Sequence, residues 1–304
     1  MFKVIQSEKV IWIDIMQPTE EDVKYLEEHF FFHPFILKSV IPQIRHPRFE
    51  NYGDYLFLVL HYPFFQKETR ETRSQELDIL VTKDTLITIH YHTILPLKDF
   101  FTRLTLFEKE QKEFTDEGAG EVLYRLLNEL LKDSFPKLDH IDEGIEKIKK
   151  EILKNKKEEV IKEISILKND LIDFQRVIQP QTPVFKGLKE SSEMFFGKHF
   201  YPYFDELFNY FSTIKETIQS QYETLNELEE TNNSFLAIQN NEILKVLTNF
   251  TVIIAPLILI AGIFGMNACY LPFGGKSSNF WIVFGIMAVF LLSIIGYLKK
   301  KRIL

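Results

Sequence analysis

The sequence has few of the residues on which several classes of functional site depend. Its 304 residues include a single cysteine, Cys269, which excludes an internal disulfide framework and a CxxC metal site. No GxxxxGK[ST] segment is present, so a phosphate-binding loop of the ATPase type is excluded. No nucleophile stands in a pattern with a base, and Cys269 has no histidine near it in sequence. We therefore predict that the protein is not an enzyme, and we expect no cofactor and no nucleic-acid partner.

Charged residues are absent from two stretches near the C-terminus, 246–266 and 280–298. As helices they would extend about 31 and 28 Å at ~1.5 Å per residue, close to the thickness of a bilayer's hydrocarbon core. They are predicted as first and second transmembrane helices around an outer loop, 267–279. The basic tail, 299–304, belongs on the cytoplasmic side by the positive-inside rule, and no N-terminal signal peptide is predicted. We expect a multi-pass protein of the cell membrane, with the lipid bilayer as a partner and both termini cytoplasmic.

Residues 1–200 alternate strand and helix patterns and predict an α+β cytoplasmic domain, a mixed sheet flanked by helices. Thr19 is a predicted helix N-cap with Asp22 three residues later. Strands are predicted from β-branched and aromatic composition at 10–15, 55–62, 76–81 and 85–92.

Leucine and isoleucine at helical spacing over 119–178 predict a helical hairpin that bends at 155–157 and is stopped by Pro180 and Pro183. A stalk helix is predicted at 201–245, because no proline interrupts the helical pattern between Tyr203 and the first transmembrane helix. A helix of that length needs partners, so it should pack against copies of itself and against the hairpin. The stalk helix is followed by the two-helix transmembrane hairpin.

Acidic residues concentrate on the stalk, where residues 203–242 hold eight acids and one base, Lys215. Two readings stay open: a solvated helix face, or an electrostatic funnel that attracts cations near the inner membrane surface. Glu227 and Glu230 are among the acids nearest the first transmembrane helix.

One face of the first transmembrane helix combines small, hydroxyl and amide residues at steps of three and four. Such a face either allows close helix packing or lines a narrow pore, in which Leu244 and Leu247 would form an apolar constriction that gates by dewetting. Periodicity alone does not choose between these functions. The candidate pore-lining residues are Asn241, Leu244, Leu247, Thr248, Thr251, Ala255, Ile258 and Gly262.

The segment Ile-Phe-Gly-Met-Asn at 263–267, placed between two terminal apolar runs and followed by a basic tail, resembles the CorA family of magnesium transporters. Trp12-Ile13-Asp14 and His46-Pro47-Arg48 are similar to the family's N-terminal domain. The resemblance implies a homopentameric funnel, a stalk helix continuous with the first transmembrane helix, and an axial pore for divalent cations. It favours the pore-lining reading of the polar face.

The resemblance also implies a selectivity site at the pore mouth, formed by Gly265, Met266 and Asn267. Mg²⁺ holds its water shell tightly and prefers octahedral oxygen ligands, so a ring of neutral Asn267 amide oxygens can bind the hydrated ion and release it. Mg²⁺ is then substrate and candidate regulator. Family members sense cytoplasmic Mg²⁺ through carboxylates between protomers, and Asp205 and Glu206 fall where one side of that site would lie.

The sequence departs from the family pattern in its outer loop, which has no acid between Ala268 and Asn279. Leu244, Ala255 and Ile258 stand where the family has methionine or threonine. The cargo therefore stays open between Mg²⁺, with Co²⁺ and Ni²⁺ as further candidates, moved passively by the membrane potential, and zinc or another transition metal, with or without proton coupling. A third reading is a membrane-tethered assembly or sensor that conducts nothing.

His90 and His92 are two residues apart on a predicted strand. They are expected to be an ordinary strand pair rather than zinc ligands, because no third ligand is evident.

Overall fold

The computed structural model describes residues 2–41, 43, 46–66, 71–153, 157–265 and 277–300. The chain divides into two compact units, Met1–Glu229 and Glu230–Leu304. The boundary between these units does not test the predicted domain limits, which stay a prediction.

The first unit contains a six-stranded mixed sheet of order β1-β2-β6-β5-β4-β3. Strands β2 and β6 run parallel and all other neighbours run antiparallel, which confirms the predicted mixed sheet. The last strand ends at His90, so the predicted extension to His92 is wrong. The strands are β1 Phe2–Gln6, β2 Ile11–Met16, β3 Arg48–Asn51, β4 Leu56–Gln66, β5 Glu71–Val81 and β6 Thr85–His90.

The sheet is buried on both faces, because successive side chains of a strand point to opposite sides. On β4, Leu58 packs into one hydrophobic core while Phe57 and Val59 pack into the other. Helices α1, Glu20–His29, and α2, Pro34–Ser39, cover the second core.

Helix α1 begins at the predicted cap. The Asp22 backbone N–H donates to the Thr19 hydroxyl oxygen at 3.3 Å, and the Thr19 N–H donates to the Asp22 carboxylate at 3.0 Å. This capping box confirms the prediction.

The other face of the sheet carries the helical region. The predicted first arm of the hairpin is two helices rather than one, since α5 ends at Lys132 and α6 begins at Phe135. Pro136, the second residue of α6, has no N–H and clashes with a preceding helical turn, which explains the break. The expected bend lies largely at 154–156, outside the described residues. The helices are α3 Leu95–Leu106, α4 Glu108–Thr115, α5 Ala119–Lys132, α6 Phe135–Leu153 and α7 Lys157–Ile178.

Helix α7 ends at Ile178, before Pro180 as predicted, but a short 3₁₀ turn leads at once into α8, Thr182–Phe196. Pro183 is therefore not a stop. It lies in the first turn of α8, where its missing N–H costs no helical hydrogen bond.

Helix α9 runs from Tyr201 to Gly265 and is continuous through Pro256. Within the first unit it packs on the hairpin as predicted: the Gln221 amide donates to the Leu138 carbonyl at 2.9 Å, and Lys168 pairs with Glu229 at 2.5 Å. Its buried apolar residues recur at steps of three, four or seven, which places them on one side of the helix. They are Phe204, Leu207, Phe211, Ile214, Ile218 and Leu225.

Candidate functional site

The C-terminal part of α9 is the membrane candidate. Among the described residues, one helix, Lys198–Gly265, is long and apolar enough to cross a membrane, and none of its apolar window is buried. The predicted second transmembrane helix falls within helix α10, Ser277–Lys300. Length and composition therefore support at least one crossing.

One side of this part of α9 is partly covered. Seven positions of this segment are half-buried, including Ile254 and Pro256, and five of them recur at steps of four, four, three and four residues. Since an α-helix turns about 100° per residue, these positions share one side of the helix. We call them the covered stripe: Asn249, Ile253, Leu257, Ile260 and Phe264. Helix α10 has a corresponding stripe of half-buried Met287, Leu291 and Ile294 and buried Leu298.

The candidate pore-lining residues lie on the opposite side of α9. At about 100° per residue, the direction of Ile258 lies about 180° from that of Asn249, and Gly262 and Leu244 lie close to Ile258. Leu244 is 56% exposed and Ile258 is 65% exposed. All eight candidates, from Asn241 to Gly262, are exposed, and we call this side of α9 the open face. The structure brings them together on one face, and their role in a pore stays a prediction.

The chemistry of the open face is set by its hydroxyl and small residues. The Thr251 hydroxyl donates to the Leu247 carbonyl one turn earlier, at 2.9 Å. Its proton is thus used within the helix, and its oxygen lone pairs can accept hydrogen bonds from water. A Cβ placed on Gly262 or Gly265 would meet nothing within 4 Å, so the chain itself requires no close approach at either glycine. Met266 and Asn267 lie outside the described residues.

Two predicted sensing carboxylates on the stalk are already paired within the chain. Asp205 lies 2.5 Å from the Lys189 ammonium, and the hydrogen bond between them raises the pKa of Lys189. Glu206 accepts a hydrogen bond from the Tyr124 hydroxyl at 3.2 Å. Burial, reinforced by the charge of Glu206, raises the pKa of Tyr124 to about 12.

Glu227 and Glu230 are exposed, and in the part of the chain that the structure describes neither makes an ion pair. Among the described residues, no group of three His, Cys, Asp or Glu side chains could hold a metal ion. The attraction of cations by Glu227 and Glu230 stays a prediction.

His90 and His92 do not form a strand pair. His92 follows the end of β6, and its backbone carbonyl lies 2.7 Å from His90 Nδ1. His90 Nε2 lies 3.2 Å from Asp14 Oδ1. Sequence reasoning missed this buried contact, which depends on the pairing of β2 with β6: His90 ends β6, and Asp14 lies two residues before the end of the neighbouring parallel strand β2.

Helix α9 thus contains both the segment that packs within the first unit and an apolar segment long enough to cross a membrane. Residues 7–300 match the family described as CorA-like Mg²⁺ transporter protein. The chain belongs to the CorA family, a family of membrane transporters of divalent cations.

Curated relatives and solved structures agree with this assignment. The chain is 26% identical over 293 residues to the cobalt/magnesium transport protein CorA of Thermotoga maritima, covering 96% of this chain and 82% of the relative. It superposes on the complete structure of the CorA magnesium transporter from Methanocaldococcus jannaschii with a TM-score of 0.79 and 25% identity, covering 97% and 92% of the two chains. The cytoplasmic domain of ZntB from Vibrio parahaemolyticus has the same fold at TM-score 0.63 and 16% identity, covering 76% of this chain and 89% of that one.

Proposed function

We propose that the chain forms a homopentamer in the cell membrane that conducts Mg²⁺ inward, with both transmembrane helices spanning the bilayer and both termini in the cytoplasm. The observation that carries this proposal is the open face of α9. Its polar and small residues lie opposite the covered stripe, where they are available to face an axis between copies.

Copies of α9 arranged about an axis would bring the open faces together as rings. The Thr251 ring would present hydroxyl oxygens to the waters of a hydrated ion, since each proton is held by Leu247. The exposed side chains of Leu244 and Leu247 would form the narrow apolar segment, where loss of water closes the path to ions. The open face thus combines hydroxyl groups that can bind a hydrated cation with an apolar gate.

The outer entrance is assigned to a ring of Asn267, which follows Gly265 by two residues in the sequence. Neutral amide oxygens bind the water shell of Mg²⁺ without stripping it, and they let the ion leave. An inside-negative potential of 100 mV contributes about 4.6 kcal/mol to inward movement of a divalent cation, twice the single-charge value. Passive conduction therefore needs no ATP site.

At the inner end, Glu227 and Glu230 would raise the local concentration of cations. Regulation by Mg²⁺ through Asp205 would have two requirements. Another copy would have to supply further ligands, and Mg²⁺ would have to displace the Lys189 ammonium, which lies 2.5 Å from the Asp205 carboxylate. Glu206 is less strongly held, by a single hydroxyl of Tyr124 at 3.2 Å.

The open face can be tested with thiol chemistry, because the sequence has one cysteine. In a Cys269→Ala background, Thr251→Cys is the test variant and Phe250→Cys, 60% exposed at nearly the same depth, is the matched control. The two positions differ by about 100° around the helix. Purified full-length protein in liposomes that contain a magnesium dye is treated with a charged thiol reagent.

We expect the reagent to block Mg²⁺ uptake by Thr251→Cys and to leave uptake by Phe250→Cys unchanged. We expect Asn267→Ala to abolish Mg²⁺ uptake. Equal block of both cysteine variants would contradict the assignment of the open face. Absence of any divalent flux would favour a non-conducting assembly. Uptake of Zn²⁺ in place of Mg²⁺, with or without a pH gradient, would reassign the cargo.

A further inference from the structure

A cleft of about 260 Å³ lies in the first unit, at the carboxyl ends of the parallel strands β2 and β6. Its walls come from the sheet and from helix α3, and it is separate from the residues of the open face. Crevices outside the carboxyl ends of parallel strands are places where α/β proteins bind ligands. The charge of the lining decides which ligand the cleft fits.

Two lysines give the cleft its charge. Lys3 lines it from β1, and Lys98 lines it from α3. Both are exposed, and neither ammonium group makes an ion pair or a hydrogen bond within the described residues. Some other lysines of the unit are held by neighbouring groups, such as Lys137 by Asp133 at 3.0 Å and Lys189 by Asp205 at 2.5 Å. Neither ammonium group of the cleft is thus paired with an anion.

The acid of the cleft, Asp14, already contacts neighbouring side chains. Its Oδ1 atom lies 3.2 Å from His90 Nε2, and His90 Nδ1 lies 2.7 Å from the His92 carbonyl oxygen. These contacts hold Asp14 in the sheet rather than beside a lysine.

The pair is locked by the neighbouring strand. Trp12 Nε1 donates to the Thr88 hydroxyl at 3.0 Å, so the Thr88 proton is directed to Asp14 Oδ1, at 2.7 Å. Asp14 and His90 are 8% and 5% exposed, so the arrangement is buried. It forms the buried part of the cleft lining, to which Lys3 and Lys98 add exposed ammonium groups.

One hydroxyl of the cleft is free to change partner. The Thr93 hydroxyl donates to the Met16 sulfur at 3.8 Å, and a thioether is a weak acceptor. An anionic oxygen in the cleft would be a much stronger acceptor for the same proton.

We propose that this cleft binds a small anion that bears a phosphate group, held by Lys3, Lys98 and the Thr93 hydroxyl. Lysine ammonium groups bind phosphate as point charges, and two of them match a dianion. The volume admits inorganic phosphate or pyrophosphate and excludes most of a macromolecule. The site would give the cytoplasmic side of the protein a ligand other than its cargo, and it does not rest on the transport proposal.

The test is calorimetric titration of the full-length protein in detergent and magnesium-free buffer at constant ionic strength, with inorganic phosphate, pyrophosphate and ADP as titrants. Comparing the three distinguishes a free phosphate source from a nucleotide. The test variant is Lys3→Gln with Lys98→Gln. The matched control, Lys109→Gln with Lys162→Gln, removes the same charge from exposed positions on α4 and α7.

Saturable binding of a phosphate titrant is expected, with at least a tenfold loss of affinity in the test variant and an unchanged affinity in the control. Lys3→Arg with Lys98→Arg keeps both charges and should keep binding, which guards against misfolding of the glutamine variant. Absence of binding to the unmodified protein overturns the proposal. Equal losses in test and control variants overturn it as well, since they would indicate general charge attraction.

Discussion

Replacing Asp78 by asparagine should change how the stability of the first unit depends on pH. Asp78 lies on β5 between Val59 and Ile89, and it is 1% exposed. Within the described residues, neither carboxylate oxygen has a hydrogen-bond partner. Burial, with the negative charge of Glu76, raises the pKa of Asp78 well above its ordinary value, and Arg48 opposes the shift only in part.

The direction in which stability changes with pH follows from the number of protons bound by the folded and the unfolded chain. Above the ordinary pKa of an aspartate the unfolded chain has lost this proton, while the folded chain keeps it up to its own, higher pKa. In that window the stability contributed by Asp78 falls as pH rises, by at most about 1.4 kcal/mol per pH unit, and it levels off above the folded pKa. For a unit of this size, a change of 1 kcal/mol corresponds to about 2–4 °C in Tm, so the fall in Tm is at most about 3–6 °C per pH unit.

The assay is thermal unfolding of the full-length protein from pH 4.5 to 8.5, followed by tryptophan emission. In a Trp281→Phe background the signal comes from Trp12, which is 1% exposed and lies in the same sheet. The Tm of the unmodified chain minus that of Asp78→Asn should decrease with rising pH and then become constant. Parallel pH profiles for the two proteins would refute the reasoning, because the asparagine side chain of the variant does not titrate.

Two further predictions concern packing and the open face. Gly187→Ala on α8 should destabilise the first unit by about 1–3 kcal/mol, because the new Cβ would overlap the Phe49 ring. The measurement is the midpoint of chemical unfolding, with Glu190→Ala as the control. An unchanged midpoint in Gly187→Ala would contradict this packing. Thr251→Val should lower Mg²⁺ flux in liposomes while Thr251→Ser keeps it, since only serine retains an oxygen for the water of the ion; equal flux in both variants would place Thr251 outside the ion path.

Local signals predicted much of the fold. The Thr19 cap, the strand composition and the end of α7 at Ile178 each depend on residues close in sequence, and the structure confirms them. The break between α5 and α6 was missed although Pro136 marks it, because leucine and isoleucine keep their helical spacing across it. The helix after Pro183 was missed because a proline begins a helix as readily as it ends one.

Some features of the candidate site could also be predicted from local sequence, and others could not. The open face could be predicted, because it depends only on helical period and on residue type. The pairing of Asp205 with Lys189 could not, because it joins α8 to α9 across a turn of the chain. The contact between Asp14 and His90 joins residues 76 apart in sequence, and no local pattern announces it.

The sheet ends in two short edge strands, β1 of five residues and β3 of four. Short edges are poor templates for backbone pairing between chains, and a lysine such as Lys3 on an edge discourages it further. Over β3, α8 adds a cover where Gly187 meets the Phe49 ring. In the homopentamer proposed above, we therefore expect contacts between copies to involve helix side chains rather than a sheet shared between chains.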